Sequence, residues 1–213
     1  MIKVILTQRV DFINSYKEIR DSTDQQLSKW LIHAGFLPVP ISNKLVIIPS
    51  DRDAWSGKQP ILENWLITIK PHALLLSGGN DIGENPARDE TEKFLLEWAQ
   101  KNRTPILGIC RGMQMMAVWS KGKLIRIKNH SSTRHQLKIS NLASDWPSEV
   151  NSFHRWGLDG CPADFEVKAF TDDNVIEAIK HKQLPWEGWM WHPEREVHFS
   201  KKDTRRLKAL FVE

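Results

Sequence analysis

The sequence predicts an α/β protein in which a doubly wound, mostly parallel sheet is flanked by helices and carries a small extra β layer. Strand-like and helix-like patterns alternate along the first half of the chain, which is typical of parallel strands joined by crossover helices. The segments Ala73–Leu76 and Pro105–Ile109 are apolar without polar alternation, as expected for strands buried on both faces. Glycine-containing turns follow both segments, at the sheet edge where such folds place their sites.

The first half supplies the predicted strands and helices of the sheet. Ile2–Thr7 is the first strand, and Ser22–Ala34 is a helix because Leu27, Trp30 and Leu31 recur at helical spacing. The other elements predicted here are a strand at Leu37–Pro40, a helix at Ile61–Ile69, a strand at Ala73–Leu76, a helix at Asp89–Asn102 with Phe94, Leu95 and Trp98 inward, a strand at Pro105–Ile109 and a helix at Met113–Trp119.

The pattern after Trp119 changes to short strands and turns, which predict an extension of the sheet and a side layer of hairpins. Asp203–Phe211 is predicted as a closing helix. The candidate strands are Lys123–Ile127, Gln136–Ile139, Val150–Phe153, Glu166–Ala169, Val175–Lys180 and Gly188–Trp191. No repeat or linker interrupts the chain, so we expect one domain over residues 1–213.

Composition excludes several classes of protein. No apolar stretch approaches the roughly 18 residues of a membrane span, and Met1–Thr7 reads as a strand and not as a signal segment, so we expect no membrane partner and a cytoplasmic location. The formal net charge of +4 permits an anionic substrate. No aromatic–basic pattern of a nucleic-acid-binding module is present, so we expect no nucleic-acid partner.

The chain has two cysteines, Cys110 and Cys161, and these do not constitute a disulfide framework. Cys161 lies in a predicted turn, Asp159–Pro162, and is interpreted as structural. No CxxC or regular His/Cys spacing indicates zinc, so no metal ligand is assigned from the sequence.

The turn Gly108-Ile109-Cys110-Arg111-Gly112 is the strongest functional signal. A nucleophile on a sharp strand-to-helix turn needs small residues two positions to either side, because the tight backbone leaves no room for a Cβ there. The turn also places the sulfur at a helix N-terminus, which favours the thiolate. A buried structural cysteine in a tight turn is the alternative interpretation of the turn alone.

A second segment, Trp191-His192-Pro193-Glu194, supplies a candidate base and the group that orients it. Residues two apart on a strand point the same way, so His192 is expected to face Cys110 while Glu194 accepts from its other nitrogen. Ser77-Gly78-Gly79-Asn80-Asp81 is the third segment. Backbone N–H groups of Gly79 and Arg111 are candidates for an oxyanion hole, although a Gly pair also ends many ordinary strands.

These motifs together resemble the class I glutamine amidotransferase superfamily, which has a flavodoxin-like core, and within it the γ-glutamyl hydrolase branch of peptidase C26 type. Gly108–Gln114, Val150–His154 and Trp191–Glu194 carry the resemblance together with the Gly pair segment. The resemblance extends to the superfamily's hydrolases of γ-glutamyl-CDP-amidate, which act in bacterial capsule phosphoramidate synthesis. This part of the resemblance is carried by Thr7-Gln8-Arg9, Tyr16-Lys17-Glu18 and Gly35–Pro40.

The resemblance implies a catalytic set of Cys110, His192 and Glu194. Glu196, close by in the sequence, is a competing candidate for the orienting carboxylate. It places Gln114 in the glutamyl pocket, where the alternative is a buried side chain that caps a loop. The backbone N–H of Arg111 would be an oxyanion donor, whereas its side chain is open to a packing or a substrate role. The remaining candidates for substrate binding are Asn151, Ser152, Phe153 and His154 for the glutamyl head, and Arg9, Tyr16, Asn80, Arg134, His135 and Trp156 for the distal half.

The resemblance further implies cleavage of a γ-glutamyl amide through a cysteine thioester, with no cofactor. The expected partner is a small-molecule γ-glutamyl substrate, most closely γ-glutamyl-CDP-amidate. A homodimer is compatible with the sequence, and no obligatory synthase partner is expected. The alternatives left open are hydrolysis of another γ-glutamyl amine, a glutaminase component that supplies ammonia to a synthase, and a non-catalytic relative with the same fold.

Overall fold

A computed structural model describes residues 1–46, 61–140 and 145–212. The strands of this part of the chain are β1 (Ile2–Leu6), β2 (Arg9–Ile13), β3 (Glu18–Ser22), β4 (Phe36–Pro40), β5 (Ala73–Leu76), β6 (Ile106–Ile109), β7 (Leu124–Arg126), β8 (Ser131–Gln136), β9 (Lys138–Ile139), β10 (Glu149–Phe153), β11 (Trp156–Leu158), β12 (Phe165–Phe170), β13 (Ile176–His181) and β14 (Trp186–Trp189). The helices are α1 (Gln25–His33), α2 (Ile61–Ile69), α3 (Pro86–Asn102), α4 (Arg111–Trp119) and α5 (Lys201–Val212).

Eight strands form the central sheet, in the order β4-β1-β5-β6-β14-β13-β12-β9. The first five are mutually parallel, and the last three continue the sheet in antiparallel fashion. Every residue of β5, β6 and β14 is buried, because helices cover these parallel strands as the apolar runs predicted. The predicted mostly parallel sheet with flanking helices is therefore confirmed.

The small extra β layer is also present, as three two-stranded sheets formed by β2 with β3, β7 with β11, and β8 with β10. The sequence did not predict β2, β3, β11 or most of β8. These strands are short, and β2, β3 and β8 are largely exposed, so they lack the apolar pattern that marks a buried strand.

Two boundaries differ from the prediction for identifiable reasons. The helix expected from Ser22 begins at Gln25, because Ser22 pairs with Arg9 in the β2–β3 hairpin and Asp24 caps the helix by accepting from the Gln26 N–H. The helix expected from Asp89 begins at Pro86, where Asn85 is the cap. Its buried face carries Leu95, Leu96 and Ala99, while Phe94 and Trp98 are only partly buried.

Strand β14 ends at Trp189, two residues before the predicted end at Trp191. Met190 and Trp191 are nevertheless buried, and the rings of Trp189 and Trp191 are stacked with their centroids 5.4 Å apart. The chain then passes through His192 into a 3-10 turn at Pro193–Arg195. The alternation of side chains along a strand therefore does not extend to Glu194.

Candidate active site

Three adjacent parallel strands bring the three sequence motifs together. β5, β6 and β14 are neighbours, with Leu76 paired to Gly108 and Trp189 paired to Ile109. Their carboxyl ends therefore lie side by side, and each leads into one motif: Ser77–Asn80, Cys110 and His192. This is the sheet edge at which doubly wound folds place their sites.

Cys110 lies on a tight turn between β6 and α4. Its backbone has a positive φ of 50°, and its N–H donates to the Trp189 carbonyl at 2.7 Å. A Cβ on Gly112 would lie 2.2 Å from the Leu76 carbonyl oxygen, and one on Gly108 would lie 2.7 Å from the Gly112 backbone. The two glycines thus permit the close approach of helix and strands that the motif predicted. The Cys110 side chain is almost fully buried at the start of α4.

The imidazole of His192 is paired with Glu194 on one side and Cys110 on the other. Its Nδ1 lies 2.7 Å from Glu194 Oε1, so the interaction with Cys110 falls to Nε2. Burial lowers the pKa of His192, but the charges of Glu194 and Cys110 and hydrogen bonds to both outweigh it and raise the pKa to about 9. Glu194 reaches the ring through the 3-10 turn and not by strand alternation, so the reason we gave for this contact was wrong although the pairing is present.

Asn151 holds the backbone of His192. Its Oδ1 accepts from the His192 N–H at 2.9 Å, and its Nδ2 donates to the His192 carbonyl at 2.8 Å and to Glu196 Oε1 at 2.8 Å. Glu196 therefore engages Asn151, and also Arg134 at 3.1 Å, while Glu194 is the carboxylate on the ring. A role of Asn151 in binding the glutamyl head remains a prediction.

Buried charged side chains pack against the segment Ser77–Asn80, which is called the Gly79 loop. Gly79 has a φ of 126°, which favours glycine, and a Cβ there would lie 2.7 Å from Arg88 Nη1. Arg88 is fully buried and donates to the carbonyls of Ser77 at 2.7 Å and Gly78 at 2.9 Å. Arg111 donates through Nε to the Asn80 carbonyl at 3.0 Å. The loop carbonyls are thus occupied by guanidinium groups.

Arg88 and Arg111, which hold the Gly79 loop, are themselves paired with buried carboxylates. Arg88 pairs with Glu92 at 3.1 Å, and Arg111 pairs with both Glu92 and Asp89. Glu92 also accepts from the Thr7 hydroxyl at 2.9 Å. The Arg111 side chain therefore has a packing role between α3, α4 and the Gly79 loop. Its backbone N–H as an oxyanion donor remains a prediction.

A cleft of about 260 Å³ opens beside Cys110. Cys110, His192, Gly79 and Arg111 line it together, so the structure brings the predicted catalytic and oxyanion residues to one cavity. The other residues that line it include Gln114, Phe153, His154, Trp156 and the exposed Arg155 and Arg195.

Several cleft residues are fixed by contacts within the protein. Gln114 donates to the Trp156 carbonyl at 3.1 Å, which fits the interpretation of a buried side chain that caps a loop, although it also lines the cavity. The Phe153 ring meets the His192 ring edge-on, with centroids 5.9 Å apart. Ser152 is buried and donates to the His130 carbonyl at 2.7 Å, so it does not line the cleft.

Of the residues proposed for the distal half of the substrate, Trp156 lines this cleft, whereas Arg9, Tyr16, Asn80, Arg134 and His135 are not among its lining residues. Tyr16 is exposed in the turn between β2 and β3, under Arg20. Arg9 pairs with Asp11 and lines a smaller cavity on the other side of His192. Asn80 makes two hydrogen bonds to the Val10 backbone, at 2.8 and 2.9 Å. Substrate contacts of these residues remain predictions.

Sequence reasoning did not single out the buried charges under the loop or the arginines at the cleft mouth. Arg88 and Glu92 are one helical turn apart in an otherwise amphipathic helix. The signal available in the sequence was that these two charged residues fall on the buried face of that helix. Arg195 directly follows Glu194 in sequence and lies over the Phe153 ring, with its guanidinium carbon 4.7 Å from the ring centroid.

Two solved structures share the fold of this chain. A protein from Thermoplasma acidophilum, described as one of the subunits of a GMP synthase, matches with a TM-score of 0.68 at 20% identity, covering 99% of this chain and 92% of that one. A glutamine amidotransferase from Thermotoga maritima matches with a TM-score of 0.64 at 16% identity, covering 98% of this chain and 83% of its own. At these identities the likeness establishes a shared fold.

Sequence comparison identifies the family. The Peptidase C26 family model matches residues 61–194. The γ-glutamyl-CDP-amidate hydrolase of Campylobacter jejuni is 30% identical over 200 residues, covering 90% of this chain and 89% of that protein. The chain belongs to the peptidase C26 family.

A more distant relative widens the chemical class. Anthranilate synthase component 2 of Thermococcus kodakarensis is 34% identical over 115 residues, covering 51% of this chain and 60% of that protein. The relatives support an enzyme of the glutamine-amide hydrolase or amidotransferase class. Among the described residues, every helix is too short or too polar to span a bilayer.

Proposed function

We propose that this protein hydrolyses a γ-glutamyl amide through a thioester on Cys110, and that its substrate is γ-glutamyl-CDP-amidate. The products are glutamate and cytidine diphosphoramidate, an intermediate suited to capsular phosphoramidate synthesis. The observation that carries the proposal is the juxtaposition of Cys110, His192 and Glu194 at one cleft, in a chain 30% identical to a hydrolase of that name.

The proposed first half-reaction breaks the amide C–N bond. The Cys110 sulfur attacks the γ-carbonyl carbon, and the resulting oxyanion is stabilised by the N–H groups of Gly79 and Arg111. Protonated His192 then donates its proton to the leaving nitrogen, which departs as the free amidate, and the γ-glutamyl group remains as a thioester. The P–N bond of the leaving group stays intact.

The second half-reaction consumes one water. His192, now neutral, takes a proton from the water while the water oxygen attacks the thioester carbon. The C–S bond then breaks, which releases glutamate and returns the Cys110 thiolate. Glu194 keeps the imidazole oriented in both steps.

The mouth of the cleft supports an anionic, nucleotide-like leaving group. Arg155 and Arg195 line it, and the Arg126 guanidinium lies 4.8 Å from the centroid of the Trp156 ring. Arginine binds phosphate oxygens through two parallel hydrogen bonds, and an indole offers a stacking surface for a base. Asp81 is the acidic neighbour, and it accepts from Trp156 Nε1 at 2.9 Å.

The test ranks kcat/KM for glutamine, γ-glutamyl amines, γ-glutamyl folates and γ-glutamyl-CDP-amidate. We expect γ-glutamyl-CDP-amidate to exceed glutamine by at least about a hundredfold, or roughly 3 kcal/mol of added transition-state contacts, and to lose this advantage at high salt. Arg195→Gln should raise KM for γ-glutamyl-CDP-amidate but not for glutamine. Arg205→Gln, an exposed arginine paired with Asp145, is the matched control.

An ammonia-supplying component of a synthase is the second candidate. Relatives include component 2 of anthranilate synthase and a glutamine-hydrolysing GMP synthase component from Methanococcus aeolicus. Equal kcat/KM for glutamine and every conjugate would favour it and overturn the hydrolase proposal. We further propose that residues 1–213 act as a single cytoplasmic domain without an obligatory synthase partner, alone or as a homodimer, so that turnover needs no second protein.

A further inference from the structure

A cluster of buried metal-ligating side chains lies behind the cleft wall. His130 precedes β8, His154 follows β10, and Glu177 belongs to β13. One ligand atom from each lies within 4.8 Å of the others. The three side chains are at most 1% exposed. The mechanism proposed above uses none of these residues.

Contacts on the outer side of the cluster orient the two rings. His130 Nε2 lies 3.0 Å from Asp173 Oδ2, and His154 Nδ1 lies 3.0 Å from the Trp156 carbonyl oxygen. Because both partners are acceptors, the outer nitrogens carry the ring protons. A neutral ring then turns its lone pair inward from His130 Nδ1 and from His154 Nε2. Metal-binding histidines are held in the same way, by an oxygen acceptor on the far nitrogen.

The inner atoms have the spacing of ligands around one small ion. Glu177 Oε1 lies 3.2 Å from His154 Nε2 and 3.4 Å from His130 Nδ1. Two ligands at zinc bond lengths of roughly 2.0–2.1 Å in tetrahedral geometry lie about 3.3 Å apart. The usual N···O separation of a hydrogen bond is about 2.7–3.2 Å, so the distance from His154 lies at its upper limit and the distance from His130 lies beyond it.

Three buried polar atoms in and beside the cluster have no hydrogen-bond partner within the described part of the chain. They are His130 Nδ1, Glu177 Oε2 and the Nε2 of neighbouring His135, whose ring centroid lies 4.1 Å from that of His130. Two inward ring nitrogens and a carboxylate oxygen therefore face one another in a buried site, and a cation between them would satisfy these polar atoms.

We propose that His130, His154 and Glu177 bind a zinc ion, with water or His135 as the fourth ligand. Two imidazole nitrogens and a carboxylate oxygen are a common zinc ligand set. The sequence showed no zinc signature, because the ligands come from three segments that only the fold brings together.

The ion has a structural role in this arrangement. It ties the small sheet of β8 and β10 to β13 of the central sheet. The Trp156 carbonyl accepts from both His154 and Gln114, so the ion also stabilises the wall of the catalytic cleft. Zinc binding does not contribute a step to the proposed hydrolysis.

The experiment uses the full chain carrying Cys110→Ser, because the thiolate and His192 could otherwise hold zinc. After chelation and dialysis, the protein is titrated with Co²⁺, and the visible absorption of four-coordinate cobalt is followed and then displaced by Zn²⁺. We expect one ion per chain. In the same background, Glu177→Gln and His130→Gln should weaken binding at least about a hundredfold. The exposed His198→Gln, as the matched control, should leave it unchanged.

Two results would overturn the proposal: no cobalt spectrum and no retained zinc in the Cys110→Ser protein, or equal affinity in the cluster variants and the His198→Gln control. The first result would mean that protons on the imidazoles hold the cluster together. If a cluster variant does not fold, the spectrum and zinc stoichiometry of the Cys110→Ser protein still decide the question.

Discussion

The side chain of Asn151 clamps the backbone of His192, with its Oδ1 2.9 Å from the His192 nitrogen and its Nδ2 2.8 Å from the His192 oxygen. β14 has already ended at this point, so no ladder hydrogen bonds hold His192. The side-chain amide of Asn151 supplies hydrogen bonds in their place. A residue proposed from sequence for substrate binding therefore has the contacts of a positioning residue.

Asn151→Ala should lower kcat by about 10- to 100-fold with little change in KM, because a displacement of the base by about 1 Å carries a penalty of that size. Steady-state kinetics on the best substrate of the panel provide the measurement. Asn102→Ala, at an exposed asparagine on α3, is the control. A large rise in KM at unchanged kcat would instead return Asn151 to the role of binding the glutamyl head.

Cys110→Ala should abolish turnover, with kcat reduced at least about 10³-fold, because the covalent nucleophile is lost while alanine tolerates the same backbone. Intact-protein mass spectrometry of the wild type with slow substrate should show the γ-glutamyl adduct, and the variant should show none. Cys161→Ala should keep normal activity, since Cys161 is a half-buried thiol outside the cleft. Activity of Cys110→Ala within tenfold of the wild type is incompatible with the mechanism.

The pKa of His192 sets the sign of a pH effect on stability. Burial lowers this pKa, and Glu194 and Cys110 raise it from 6.5 to about 9. Because the pKa of His192 is higher in the folded state, its protonation stabilises the folded protein. This contribution is fully present below about pH 6.5 and is lost as the pH rises through 9. The unfolding free energy of the wild type minus that of His192→Asn should therefore fall by about 3 kcal/mol across this range.

Urea titrations at a series of pH values measure this difference, in which the contributions of groups that do not interact with His192 cancel. The same subtraction with His198→Asn, an exposed histidine, is the control. A difference for His192→Asn that does not change with pH would show that the imidazole is not stabilised as a cation.

Glu92→Gln should destabilise the fold by about 3 kcal/mol or more, because it removes the carboxylate that buried Arg88 and Arg111 share. It should also lower kcat, since both guanidinium groups hold the Gly79 loop. Glu90→Gln, close by on the same helix, breaks an exposed pair with Lys93 and should cost no more than about 0.5 kcal/mol. Similar unfolding free energies for the two variants in urea would contradict a supporting role of the network.

The sequence by itself determined the central sheet and the three motifs that follow its adjacent strands. Continuous apolar runs mark β5 and β6 because both of their faces are covered. Glycines at 108 and 112 mark the turn at Cys110 because the helix approaches the strands too closely for a Cβ. These signals are local, so they can be interpreted without knowledge of the fold.

Only the tertiary structure decided how distant residues are used. Glu194 meets His192 through a 3-10 turn, Asn151 holds the His192 backbone where the strand has ended, and Arg111 extends its side chain to the Asn80 carbonyl of the Gly79 loop. His130, His154 and Glu177 come from separate segments and converge when β8 and β10 pack near β13. Such contacts depend on the order of strands in the sheet and on which buried polar atoms need partners, and neither quantity is encoded in local spacing.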